Sequence, residues 1–232
     1  HSDLRRQRQM CIRDSFGAEV QWVNERIIVQ QGGYQGKAFQ VEADWSAASY
    51  YYGFAALSEE VDITLKGLKQ HSLQGDAIVR DYYSKLGVET TLEEDGVHLH
   101  NINGFVYPGE LKFDFEACPD IAQTIAVTCA ALNIKTKLTG LKTLRIKETD
   151  RIAALQNELN KLGFNVTVEG DDLIILPVKE IGWKTTNIET YNDHRMAMAF
   201  APLALIADIN IENPEVVKKS YPNFWEDVKY LE

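Results

Sequence analysis

The sequence predicts an α/β fold of the layered α+β kind, a pseudo-threefold globule of repeated βαβαββ units with buried central helices and outer sheets. Three observations carry this. A short strand ending in Glu and then Asp occurs at Phe39–Asp44, Phe113–Asp120 and Asn187–Asp193, so that Asp44, Asp120 and Asp193 recur after 76 and 73 residues. Each Asp is followed by an Ala-rich segment apolar on nearly every face, and such a helix must be buried. The first two copies then close on Leu-Gly, at Leu86-Gly87 and Leu162-Gly163, which is a helix C-cap signal.

The elements follow in order. The apolar helices are expected over Trp45–Leu57, Ile121–Leu132 and His194–Ile206, with the three aspartates as N-caps. Strands are expected next, over Val61–Leu68, Lys135–Leu141 and Asp208–Glu212. Amphipathic helices follow over Leu73–Leu86, Lys147–Leu162 and Glu215–Leu231. Hairpins turn at Glu94-Asp95-Gly96 and at Gly170-Asp171-Asp172, while the third copy stops after its helix. Three helices too apolar to face water should pack together, with the sheets outside.

Phe16–Val41 reads as a strand pair around the Gly32–Gly36 turn and as the tail of a preceding unit. The expected organisation is therefore residues 16–42 as the tail of a first globule and 43–232 as a second, with repeats at about 43–112, 113–186 and 187–232. His1–Ser15 carries four arginines and two aspartates without apolar periodicity and reads as a non-native segment.

Composition narrows the function. The chain has 232 residues, 45% hydrophobic and 25% charged, with 24 Lys and Arg against 34 Asp and Glu for a net charge of −10. That balance disfavours binding to nucleic acid or an anionic membrane, so cations that serve a ligand must be clustered locally. The apolar runs are too short to span a membrane, and Cys11, Cys118 and Cys129 lack metal-ligand spacing, so a reducing cytoplasm is the expected setting. Phosphate-loop, dinucleotide-fold, zinc-protease and nucleophile-elbow motifs are absent from the sequence.

Cations concentrate in three places. Ile146–Arg151 is expected to open an amphipathic helix, with Lys147 and Arg151 one turn apart on one face, suited to a phosphate or carboxylate, and Glu148 beside them. A solvated helix start with charge pairs is the competing reading of that hexapeptide. His194 and Arg195 begin a core helix, where an Arg is costly unless it serves a ligand or a buried carboxylate; His194 alone also fits a structural hydrogen-bonder. Lys218 and Lys219 precede the last helix, with a solvated lysine pair as the plain alternative. Asp120 is first a cap, and after Pro119 it could also accept a hydroxyl proton. The collected residue types suit a small, multiply anionic substrate.

Specific strings accompany these positions: Val41–Tyr50, Ser72–Asp76, Pro119-Asp120, Leu144–Arg151, Asn192–Met198 and Lys219–Pro222. On them, Phe16–Glu232 resembles the C-terminal half of the 5-enolpyruvylshikimate-3-phosphate synthase family. The Lys-Glu-Thr-Asp-Arg and Asp-His-Arg-Met-Ala-Met strings distinguish it from the UDP-N-acetylglucosamine enolpyruvyl transferases, the alternative of the same fold; a non-catalytic module of that fold is a second alternative. The resemblance implies two globules with the active site between them, and transfer of the enolpyruvyl group of phosphoenolpyruvate to the 5-hydroxyl of shikimate 3-phosphate without cofactor or metal. It implies Asp120 and Glu148 as catalytic residues, Glu148 moving the proton at the phosphoenolpyruvate methylene. Arg151, Arg195 and Lys219 would hold phosphoenolpyruvate, Lys147 would face the shikimate phosphate, and His194 would support the site. Thr143 stands where several family members have Asn or Ser.

The expected partners are these two small molecules, with no nucleic acid or membrane, and the full-length enzyme is expected to be a monomer. Several family motifs would precede Phe16, so the isolated chain is expected to be inactive and marginally soluble. Asp120, Lys147, Glu148, Arg151, Arg195 and Lys219 are expected at one end of the globule.

Overall fold

The computed structural model describes residues 16–24, 26–182 and 186–231; His1–Ser15, read above as non-native, lies outside them. The chain is α/β, built on three central helices: α1 (Trp45–Leu57), α3 (Ala122–Ala131) and α5 (His194–Phe200). They contact one another pairwise, and most of their residues are buried. Gly53 lets α1 approach this closely, since a Cβ there would lie 3.0 Å from Pro202 Cγ and 3.2 Å from Thr124 Cγ2.

The strands are β1 (Val20–Val23), β2 (Arg26–Val29), β3 (Ile63–Lys66), β4 (Val88–Glu93), β5 (Gly96–Asn101), β6 (Glu110–Asp114), β7 (Lys135–Thr139), β8 (Asn165–Glu169), β9 (Asp172–Leu176), β10 (Thr186–Ile188) and β11 (Ile209–Ile211). The first unit contributes an antiparallel β3-β5-β4 sheet. The second contributes β6-β7-β9-β8, with β6 and β7 parallel and the rest antiparallel. The third contributes the parallel pair β10-β11. The residue one or two places beyond the strand that leaves each central helix has a positive φ: Gly67 (78°), Gly140 (74°) and Asn213 (49°). This shared turn is a backbone trace of the repeat, filled by residues that tolerate the left-handed region.

The structure corrects several expected elements. Residues 39–44 form no strand; the segment leading to Asp44 is largely exposed, its link to the first sheet is the bond from Ala43 N–H to Gly67 O, and Phe39 and Val41 face solvent, so little apolar burial offsets the cost of ordering it. The β1–β2 ribbon turns after Asn24, whose φ is 54°, with Val23 opposite Arg26, and not at Gly32–Gly36.

The first amphipathic helix begins as a 3-10 turn (Gly75–Ile78) before α2 (Val79–Ser84). The second, α4 (Arg151–Lys161), starts four residues late because Asp150 caps it, accepting from the N–H groups of Ile152 and Ala153 at 3.1 Å. Pro202 turns the end of the third central helix into a 3-10 turn (Ala201–Leu205). Pro222 divides the last helix into a 3-10 turn that Pro214 opens (Pro214–Lys219) and α6 (Phe224–Val228), followed by a further 3-10 turn (Lys229–Leu231).

Asp44 and Asp193 are N-caps, accepting from Ser46 N–H at 2.8 Å and Arg195 N–H at 2.9 Å. Asp120 is not a cap: Pro119 opens a 3-10 turn (Pro119–Ile121), and α3 begins beyond it, which leaves the Asp120 carboxylate for side chains.

A Cβ at Gly140 would sit 2.4 Å from both Asp114 Oδ1 and Glu116 N, whereas Gly170, φ 62°, opens on empty space. Gly140→Ala is therefore expected to destabilise the fold by about 3 kcal/mol and Gly170→Ala by about 1 kcal/mol, compared by urea denaturation. Equal costs would contradict this.

Candidate active site

Asp120, Lys147, Glu148, Arg151, Asp193, Arg195 and Lys219 form one connected cluster drawn from the second and third units. Asp120 is its meeting point. Its Oδ1 lies 3.3 Å from Lys147 Nζ and 3.4 Å from Arg151 Nη1, and its Oδ2 lies 3.5 Å from Arg195 Nη2. Arg195 Nη1 also donates to the Asp120 backbone oxygen at 3.1 Å and to the Tyr50 hydroxyl at 3.3 Å. Lys147 reaches Asp120 from the extended residue that follows the 3-10 turn Lys142–Ile146, so it does not share a helix face with Arg151.

Arg151 is the buried centre, with 2% of its side chain exposed. Its Nε donates to Asp193 Oδ2 at 2.5 Å and its Nη2 to Asp193 Oδ1 at 3.2 Å. Nη2 also donates to Glu148 Oε2 at 2.8 Å. A buried Arg requires this degree of compensation, since an unpaired charge there would cost several kcal/mol. The other oxygen of Glu148 accepts from Lys219, whose side chain is 57% exposed.

These contacts set the protonation states. The hydrogen bond from Lys219 is the largest influence on Glu148, opposed by burial and reinforced by Arg151; together they bring its pKa from 4.5 down to about 2. His194 is pushed below its ordinary 6.5 by burial first and by the Arg195 charge second, despite Asp193 beside it. It is neutral at pH 7, and its Nδ1, 3.7 Å from Asp193 Oδ1, has no hydrogen-bond partner among the described residues. Burial opposes the Arg195 charge, but the Asp120, Asp76 and Asp44 carboxylates outweigh it and keep the guanidinium protonated. Burial also lifts the Tyr50 hydroxyl from 10 to about 12, so it stays neutral against Arg195.

Four cations thus share three carboxylates, with Lys219 at the exposed end. Such a surface accepts a polyanion by exchanging internal ion pairs for ligand contacts. His194 lies at the edge of the cluster and bonds none of the cations. Lys218 is exposed. Among the described residues no group of three or more His, Cys, Asp or Glu side chains could hold a metal. A groove of about 600 Å³ between Leu65, Tyr51 and Tyr221 contains none of the four cations.

Sequence reasoning missed three contributors. Tyr50 was hidden in an all-apolar helix, and Asp193 was read only as a cap. Gln74 accepts from Trp45 N–H at 2.9 Å and donates to Ala43 O at 2.7 Å, pinning the start of α1. Its place in the Ser72–Asp76 string was the available signal.

The fold is that of about half of an enolpyruvyl transferase. An enolpyruvyl transferase from Streptomyces tendae superposes with a TM-score of 0.64 over 97% of this chain and 52% of its own, at 15% identity, a likeness of fold alone. The family described as EPSP synthase (3-phosphoshikimate 1-carboxyvinyltransferase) matches residues 2–228, and the chain belongs to it. The 3-phosphoshikimate 1-carboxyvinyltransferase of Bacteroides fragilis is 46% identical over 217 residues, 92% of this chain and 52% of that protein. The EPSP synthase of Acinetobacter baumannii superposes with a TM-score of 0.71 at 25% identity, over 97% of this chain and 53% of its own. The chain spans about half the length of these relatives.

Because folding lowers the Glu148 pKa, its ion pairs stabilise the fold above pH 4.5, and that contribution is lost as pH falls through about 2. Lys219→Met is expected to move the Glu148 midpoint up toward 4.5, followed by the side-chain carboxyl ¹³C shift, and to flatten the acid limb of stability in that window. An unmoved midpoint would exclude Lys219 as the cause.

Proposed function

We propose that this chain supplies the C-terminal half-site of a 3-phosphoshikimate 1-carboxyvinyltransferase, acting on phosphoenolpyruvate and shikimate 3-phosphate. Residues 43–232 would form the second of two globules and 16–42 the tail of the first. The observation that carries the reading is the convergence of Lys147, Arg151, Arg195 and Lys219 on Asp120, Glu148 and Asp193 in a member of this family. The acidic net charge and the lack of any described helix long and apolar enough to cross a membrane accord with small-molecule substrates and a cytoplasmic setting.

In this reading Arg151, Arg195 and Lys219 hold the carboxylate and phosphate of phosphoenolpyruvate, and Lys147 faces the sugar phosphate. Asp120 takes the proton of the 5-hydroxyl as its oxygen bonds to C2 of phosphoenolpyruvate, while Glu148 delivers a proton to C3. Glu148, ionised by that transfer, then takes a proton back from the resulting methyl group, and the double bond re-forms as the C2–O bond to phosphate breaks and phosphate leaves. Glu148 can give a proton only after Lys219 turns from it to the ligand phosphate, because in the free site that lysine holds it ionised. His194 supports the cluster as a neutral ring.

The test is phosphate release by this chain joined behind the N-terminal half of the Bacteroides fragilis relative. Release that needs both substrates is expected; release that depends on a UDP-sugar instead would overturn the reading. In the same protein Arg195→Gln should weaken phosphoenolpyruvate binding about 30-fold or more by calorimetry, with the fold retained by circular dichroism. Unchanged affinity would remove Arg195 from the binding set.

A further inference from the structure

Glu158 lies outside the cluster yet is 1% exposed, on α4 seven residues beyond Arg151. Two helical turns place both side chains on one face of a rigid element. Its carboxylate accepts from Glu189 N–H at 3.1 Å and from the Tyr191 hydroxyl at 2.8 Å, while Lys161 covers its outer side. Between these anchors and Asp193 the backbone does something costly. Tyr191 and Asn192 both adopt the left-handed region, with φ of 53° and 54°, closed by Asp193 N–H donating to Thr190 O at 2.8 Å. Two successive non-glycine residues in that region persist only where their surroundings impose it.

The next residue, Asp193, binds Arg151 and caps the helix that presents Arg195. The α4 helix therefore grips one strained turn at two points, Glu158 holding its entry and Arg151 its exit. We propose that Glu158 is a positioning residue for the anion-binding cations, fixing the turn at Thr190–Asn192 so that Asp193 can meet Arg151 and orient Arg195. This rests on the functional reading above for the identity of the anion. The charge on Glu158 matters because a carboxylate satisfies the amide, the phenol and the lysine together, whereas an amide side chain offers one acceptor oxygen.

The resonance of the Arg151 Nε–H in the ¹⁵N-labelled 232-residue chain reads the bond to Asp193 directly, and titration calorimetry with phosphoenolpyruvate and with inorganic phosphate, run on the protein joined behind the Bacteroides fragilis N-terminal half, reads the site. Glu158→Gln is expected to shift the Nε–H resonance toward that of a free guanidinium and to weaken phosphoenolpyruvate binding about tenfold. Tyr191→Phe removes one of the bonds and should move both readouts the same way, by about threefold in affinity, and it decides alone if Glu158→Gln does not fold. A lower melting temperature with both readouts unchanged would make Glu158 merely structural and overturn the proposal. Should the wild-type joined protein bind neither phosphoenolpyruvate nor phosphate, the functional reading fails, while the Nε–H resonance still decides whether Glu158 sets the Arg151–Asp193 pair.

Discussion

The ion pair between Arg151 and Asp193 is the constraint on which the remaining arrangement depends. Both side chains are essentially removed from solvent, and neither could stay there charged without the other. The pair joins the first residue of α4 to the cap of α5, so it fixes the second unit against the third. The remaining guanidinium nitrogens then dictate where Glu148 and Asp120 can lie. Lys147, Arg195 and Lys219 take their places around those two carboxylates. A shift in the central pair would move every other charge in the cluster.

That dependence explains how an acidic chain can hold four cations together. The carboxylates next to the cations carry the cost of crowding like charges, and the site is ordered before any ligand arrives. Two consequences oppose each other. Pre-ordering reduces the reorganisation needed on binding, but each internal contact must be given up to the ligand. An anion with one charge gains too little from that exchange, whereas one carrying both a phosphate and a carboxylate can replace several contacts at once.

Much of this was legible in the residues. The all-apolar helices announced a shared core, and the Asp spacing announced the repeat; α1 and both hairpins follow the periodicity closely. The departures have local causes. Asp150 captured the start of α4, Pro119 released Asp120 from capping, and Pro222 divided the last helix. The motif strings identified the cations, but helix phasing placed Lys147 wrongly, because its position comes from a non-helical turn. Glu158 was invisible for another reason: a Glu in an amphipathic helix looks ordinary until the third unit is packed against it.

The three central helices also decide how the chain can be divided. Each unit shields the apolar faces of the other two, with Gly53 allowing α1 to lie against Thr124 and Pro202 at van der Waals distance. No unit can leave without exposing a helix that has no polar side to turn outward, so the units lose structure together and melt as one transition. For protein engineering this restricts where new termini are tolerated. The tip of the β4–β5 hairpin, at residues 94–95, is exposed and ends a short local pairing, whereas the β8–β9 tip is tied through Arg145 to Asp150, the cap of α4; the former is the place to open the chain. A circular permutant opened there keeps every inter-unit contact, whereas a cut between units separates surfaces that evolved as one interior.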